Sequence, residues 1–447
     1  MSASSFNGTQ QYWEDGLTAG WLTRSERDPG TQTYWGDGLS ANYLELTLIQ
    51  IALLPVSGVF GAAQTFYYLI GNDSFGNRLW ISEDFESFQA IRSVSSVGAL
   101  VFTLPGHLYT RGQLKLDGLI ELWRVPQNGD PELVLETVWF LRQRLRIIRG
   151  GQTLWKVTAY DGNYLLGDPS GQRGRIIAYN EANAFTDKLD EADNLLKAFA
   201  RENIGSLATD SNRNLSAYLS IQGDVSKAPI IRKQASRRVL LPVFQEICQS
   251  SLLHATTPTY LAFDIVCLSP PSQGQVKLEL RTYTAQRGTD RRSIGGTLLI
   301  GPDFGNMDDI ELTEDFTDEE NFIYGGGQSV GTIRAIQTAQ DDARIRLSPW
   351  NRREAFHDFS SILDPTALAD EARSALRAGW PRTRLDGTFL DSPQVRYGRD
   401  WNWGDLLPAQ VEGRVFNCQV DQIELSFSRD EGETIRAHLR GEQSHAT

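Results

Sequence analysis

The sequence predicts an α+β, β-rich fold of several domains with helical insertions. Three observations carry that reading. A chain of 447 residues exceeds one ordinary core, and its 40% apolar and 10% aromatic content is enough to fill several. Most segments between turn signals are short and rich in Leu, Val, Ile, Phe, Tyr and Thr, as strands are. Helical periodicity emerges in a few stretches only.

The first 44 residues hold a duplication. TQQYWEDGLTAGWL at 9–22 returns as TQTYWGDGLSANYL at 31–44, a frame repeated every 22 residues. Asp-Gly is a hairpin-turn dipeptide, so each copy reads as a small hairpin with an aromatic anchor. Two uses fit: a two-point docking arm, because exposed Tyr and Trp are preferred interface anchors, or an arm folded back on its own domain. Tyr12, Trp13, Tyr34 and Trp35 are the candidate partner-binding residues. From Leu46 to Asn72 the chain carries no charge, a length that could span a bilayer. Gln50, Pro55, Ser57, Gly58, Gly61, Gln64 and Thr65 interrupt it, so two or three buried strands are expected and no stable membrane span. No signal peptide is visible.

Strands are expected at Val97–Leu104, Gly118–Arg124, Leu133–Phe140 and Leu154–Ala159, with the spacing of a barrel or sandwich. The period then changes. Asn180–Ile204 reads as a helix with Phe185, Leu189, Ala192, Leu196 and Phe199 on one face, and Val239–Leu253 as a second with Pro242 in its first turn. Strands resume at Leu261–Val266 and Gln275–Arg281, the latter with Val276, Leu278 and Leu280 inward. Asp364 as N-cap, Pro365 at N1 and Gly379 at C′ bracket a helix over Pro365–Ala378, with Leu368, Ala372, Ala375 and Leu376 buried. Phe416, Cys418 and Val420 share one face, but the apolar set resumes at Ile423, Leu425 and Phe427. That slip predicts a β-bulge at Asp421–Gln422. The implied division is 1–45 (arm), 46–170 (first β domain), 171–256 (mostly helical), 257–350 (second β-rich region), 351–440 (a helix and the last barrel strands) and 441–447 (tail).

Little of this offers reaction chemistry. A net charge of −13 disfavours binding of phosphate backbones by counterion release, though not a lumen through which DNA passes. Cys248, Cys267 and Cys418 are odd in number and far apart, and read as buried small hydrophobes. Gly327-Gln-Ser-Val-Gly331 matches the nucleophile-elbow pattern, but the residues after it read as a strand, which puts Ser329 in a glycine-rich hairpin loop. The acids Asp308–Asp315 and Asp318–Glu320 lack calcium-loop spacing and read as a solvated face. His107, His254, His357, His438 and His445 lie in no partner motif, and no phosphate-cradling or zinc-binding pattern occurs. Neither enzyme activity, nor a cofactor, nor a metal is expected.

The order of motifs resembles the siphophage tail-hub family, the Gp-thirty-seven-like proteins of actinophage tails. The resemblance runs over roughly Ser87 to Arg440 and rests on Val97–Pro105, Thr158–Leu166, Arg287-Gly-Thr-Asp-Arg-Arg292, Gly305-Asn306, Asn321-Phe-Ile-Tyr-Gly-Gly-Gly327, Arg334, Arg352-Arg-Glu354 with His357-Asp358, and Tyr397-Gly-Arg-Asp-Trp-Asn-Trp-Gly-Asp405. The N-terminal repeats and the uncharged stretch lie outside it. It implies two β-barrel or sandwich-like domains in each subunit of a homotrimeric ring at the virion tail tip, made in the host cytoplasm. The implied partners are a distal tail protein, the tape-measure protein and tail-tip, receptor-binding or fibre proteins, with DNA passing through and no sequence-specific nucleic-acid binding. A tail-associated cell-wall hydrolase using Ser329 or the Asp308–Glu320 acids, and a glycan-binding β-module, are the alternatives.

Overall fold

Alternating burial builds a sheet that draws its strands from both ends of the described chain. The structure is a computed structural model and describes residues 65–441 other than 127–129, 180–185, 293–297, 331–332, 361, 363, 391–394 and 431. The chain divides into two units, 1–66 with 125–131 and 67–124 with 132–447, and the architecture below is that of the second. The first strands are β1 (Phe66–Asn72), β2 (Arg78–Ser82), β3 (Ser87–Ser93), β4 (Ala99–Pro105), β5 (Leu119–Val125), β6 (Glu132–Leu133), β7 (Trp139–Arg149) and β8 (Gln152–Tyr160). The middle holds β9 (Thr186–Glu191), α1 (Ala192–Asn203), β10 (Leu219–Ile221), β11 (Ile230–Ala235), α2 (Leu240–Leu252), β12 (Leu261–Ser269) and β13 (Lys277–Thr284). Then follow β14 (Met307–Asp315), β15 (Phe322–Val330), β16 (Ile333–Gln340), α3 (Asp342–Arg346), β17 (Glu354–Asp358), α4 (Pro365–Ala378), β18 (Arg382–Phe389), β19 (Leu406–Val411), β20 (Arg414–Ser428) and β21 (Gly432–Gly441).

Thirteen of these strands form one sheet in the order β14-β18-β21-β20-β3-β4-β8-β7-β5-β1-β2, with β19 on β20 and β6 on β5. The seam is the antiparallel pairing of β20 with β3, which sets Ile423 opposite Arg92 and Leu425 opposite Ala90. The 46–170 and 351–440 segments therefore share one apolar core, in which Leu100, Phe102 and Trp139 pack in the same cluster as Leu385, Ile423 and Leu439. The predicted bulge is present between Val420 and Gln422. It lies where β20 changes neighbours, from β19 over Arg414–Gln419 to β3 over Gln422–Ser428. Cys418 and Val420 before it and Ile423 and Leu425 after it are all buried, so the extra residue keeps the apolar set inward across a corner.

A second core lies under α1 and α2, with Leu195, Leu196, Phe199, Phe244 and Ile247 packed against Phe263, Ile265 and Leu280. Here two expectations are corrected. The helix expected from Asn180 begins only at Ala192, because 186–191 is a strand paired antiparallel with β11. Leu189 is 71% exposed on that strand, and Phe185 lies outside the described residues. Leu133–Phe140 is likewise not one strand: a 3-10 turn at Val134–Glu136 interrupts it, with Leu135 at φ 56°. The Leu135 carbonyl accepts from the buried Arg92 Nη1 at 2.5 Å, and that long-range bond holds the left-handed turn. The second helix and the alternation of β13 follow the pattern read from sequence, with Val239 at the position just before α2 and Val276, Leu278 and Leu280 buried.

The third module is the sheet β16-β15-β17 with α4 across one face. Asp364 accepts from the Ala367 N–H, Pro365 opens the helix, and Leu368, Ala372 and Leu376 face the sheet. Gly379 is the C-cap at φ −83° rather than a left-handed C′ residue. All three cysteines are free, with Cys248 and Cys418 buried and Cys267 half-buried. Among the described residues no helix is long and apolar enough to cross a membrane, and β1 forms the end of the uncharged stretch.

Candidate functional site

Three of the family-like motifs, at 158–166, 287–292 and 397–405, meet around one tryptophan. Arg287 and the 397–405 segment meet β3, β12 and the turn after β8 around Trp403, which is 2% exposed. Two guanidinium groups lie over its ring, Arg92 Cζ at 4.6 Å and Arg287 Cζ at 3.6 Å from the centroid. Such stacking is favourable because the ring face is electron-rich and the site is dry. Arg92 donates from Nε to Asp161 Oδ2 at 2.9 Å and from Nη2 to Asp264 Oδ1 at 2.5 Å. Arg287 donates from Nη2 to the other Asp264 oxygen at 2.8 Å and to Glu136 at 2.9 Å. Burial, joined by the nearby Asp264 charge and opposed by Arg92, pushes the Asp161 carboxyl up to about 6.

The flanking residues support that arrangement. Asp405 accepts from the Thr289 N–H at 2.6 Å, from Arg291 Nε at 3.0 Å and from the Asn402 N–H at 2.8 Å. Gly288 must be glycine, because a Cβ there would sit 2.1 Å from Asp405 Oδ1. Trp401 packs on Phe389 and edge-on to Tyr397, with ring centroids 4.2 and 5.2 Å away. The cluster buries carboxylates already engaged by arginines, and its chemistry is that of a clamp joining β3, β12 and the 397–405 loop. The motifs read from sequence include Arg287, Trp403 and Asp161, but sequence reasoning missed Arg92 and Asp264, which lie 172 residues apart.

The glycine-rich hairpin is built for close approach on both faces. A Cβ on Gly327 would meet Leu368 of α4 at 2.8 Å, and one on Gly326 would meet Phe356 Cζ at 2.5 Å. Arg334 covers Gly326, donating to the Gly326 and Gly327 carbonyls at 2.9 Å and pairing with Asp358. His357 Nε2 lies 2.8 Å from Glu320. Ser329 is exposed near the end of β15, which pairs with β16 as a hairpin, so the strand-to-helix turn of a nucleophile elbow is absent there. Phe356 is 55% and Trp350 86% exposed on this module.

The acids expected on a solvated face lie on β14, an end strand of the large sheet, with Asp308, Asp309, Glu311, Glu314 and Asp315 exposed. Glu319 departs from that expectation: it is buried and held by Arg344 at 2.7 Å. Among the described residues no three His, Cys, Asp or Glu side chains are grouped to hold a metal. A groove of about 920 Å³ runs between α2 and the β18–β21 pair, lined by Cys248, Tyr260, Arg384, Asp386 and His438. His438 Nδ1 lies 2.5 Å from Asp386 there. Sequence reasoning missed the groove, whose walls come from strands far apart in the chain. Tyr12, Trp13, Tyr34 and Trp35 lie outside the described residues.

The model of the siphovirus ReqiPepy6 Gp37-like protein family matches residues 177–439, more than half of the chain. The chain belongs to that family. The match to the Gp37-like family is shorter than the Ser87–Arg440 span read from the motifs. Arg287–Arg292, the glycine-rich hairpin, His357-Asp358 and Tyr397–Asp405 fall inside it, whereas Val97–Pro105 and Thr158–Leu166 fall outside. The Gp37-like chain also shares its fold with solved tail proteins. The 43 kDa tail protein of prophage MuSo2 from Shewanella oneidensis superposes with a TM-score of 0.53 at 10% identity, over 84% of this chain and 98% of that one. The tail protein from Neisseria meningitidis MC58 does so with a TM-score of 0.52 at 12% identity, over 84% and 97%. No curated protein matches the sequence significantly.

Proposed function

We propose that this protein is the structural hub of a siphophage tail tip, a homotrimeric ring between the distal tail protein and the tip or receptor-binding proteins, with the tape measure ending in or near its lumen. The reading rests most on the large sheet: residues from both ends of the described chain share one core, and its end strands β14 and β2 each have a partner on one side only among the described residues. Open edges of a large sheet invite uncontrolled pairing unless an assembly covers them, and a closed ring does so for every copy at once. Family membership and the tail-protein fold support the same reading. The clamp around Trp403 suits a part that transmits load without rearranging, since its charges are buried and mutually engaged.

Light scattering with negative-stain imaging of the purified chain tests this. A threefold ring at three times 50.0 kDa is expected. A chain that is monomeric in solution and absent from the tip of immunolabelled tails would overturn the hub.

A further inference from the structure

The large sheet of this acidic chain carries a strongly basic hairpin. Residues 137–160 hold Arg142, Arg144, Arg146, Arg149 and Lys156 and no acid, whereas residues 307–320 hold eight acids and no base. The first stretch is the β7–β8 hairpin and the second is β14 with the turn after it. Both present half-paired strand edges. β5 pairs with β7 only at Trp139 and Phe140, so among the described residues β7 has a strand partner on one side alone over Gln143–Arg149. Among the described residues β14 pairs only with β18. Leu145 is 50% and Ile148 66% exposed on the basic hairpin, on opposite faces of β7, with Arg149 on the first face and Arg144 and Arg146 on the second. Six strands separate β7 from β14 in the sheet order, so each chain carries the two edges at separate places.

We infer that the basic edge of the β7–β8 hairpin docks on the acidic edge strand β14 of the next copy of this chain. A twofold contact centred on either edge would set β14 acids against β14 acids or arginines against arginines, which costs energy and disfavours that geometry. Complementarity is reached where the unlike edges meet, and a head-to-tail contact of this kind repeats into a ring if its rotation closes. This deepens the hub reading and rests on it, naming the surfaces through which the ring closes.

The test uses the full-length chain with Arg146→Glu and Arg149→Glu together, with Glu311→Arg and Glu314→Arg together, and with all four. Oligomer mass is followed by light scattering against protein and salt concentration, and folding by circular dichroism. Each pair alone is expected to weaken assembly roughly 100-fold, with greater salt sensitivity in the wild type than in the variants, and the fourfold exchange to restore most of it. If the hairpin variant fails to fold, the edge variant carries the same expectation. If the ring is seen only on tails, incorporation of the variants into tails is scored in the same way. A wild-type ring that survives both reversals overturns this interface and leaves the hub intact. A ring that survives while the hairpin variant loses retention on double-stranded DNA assigns the hairpin to nucleic acid and overturns it as well. A wild type with no ring in solution or on tails overturns the hub and the interface together.

Discussion

Arg92 and Asp264 are 172 residues apart in sequence, and their side chains meet at 2.5 Å with neither exposed by more than 1%. This contact ties the core of the large sheet to the core under α1 and α2, because β3 belongs to one and β12 to the other.

Removing one partner of that pair leaves the other charged and buried. Arg92→Met is expected to destabilise the fold by about 3–5 kcal/mol, measured by chemical denaturation. Asp264→Asn is expected to fall in the same range, and the double variant to lose clearly less than the sum. Additive losses would show that the two residues act independently.

Trp403→Ala removes a buried ring on which two guanidinium groups stack and is expected to cost about 3–5 kcal/mol. Trp403→Phe keeps the packing in part and should cost less. Equal losses would mean that cation–π stacking and ring volume do not govern this site.

Gly288→Ala sets a methyl group against Asp405, where the Cβ would lie 2.1 Å from a carboxylate oxygen held by backbone and arginine donors. A loss of about 1–3 kcal/mol is expected by thermal unfolding, the cost of overpacking. A neutral Gly288→Ala would refute the tight fit between Arg287–Arg291 and the 402–405 turn.

Glu246 on α2 accepts from Arg238 and Lys233, and those bonds hold its carboxyl at about 2, below the ordinary 4.5. A depressed carboxylate stabilises the fold above its unfolded value, and that stability is lost as the pH falls from about 4.5 towards 2. Because the side chain is partly exposed, the contribution is about 1 kcal/mol or less. Glu246→Gln should therefore lower stability at pH 7 and match the wild type near pH 2. A constant offset at both pH values would contradict this.

The repeats at 9–22 and 31–44 are proposed to dock on neighbouring tip proteins through Tyr12, Trp13, Tyr34 and Trp35. Particles carrying Trp13→Ala with Trp35→Ala should lose tip components and infectivity. Unchanged particle composition and plating would assign the repeats another role.

Local signals were legible wherever the answer depends on neighbours in sequence. Asp364 and Pro365 start α4 because a side-chain acceptor and a fixed φ satisfy the first turn by themselves. The bulge beside Asp421 could be read because strand faces alternate with period two, and the apolar set shifts by one. The same periodicity misled at Leu189, where helical spacing continued into residues that pair with β11 instead. At Leu135 the backbone follows a bond from an arginine 43 residues away, for which the sequence carries no local mark.

By itself, then, the chain's order of residues determined its strand-rich character, the α4 helix, the bulge and the motifs at 287–292, 321–327 and 397–405. Only the tertiary structure decided that β3 pairs with β20, that Arg92 and Arg287 stack on Trp403, and that β14 is left as an acidic edge. Caps and alternation are short-range effects of backbone geometry. Strand partners and buried ion pairs are chosen by the packing of the whole fold, where residues hundreds of positions apart compete for one place.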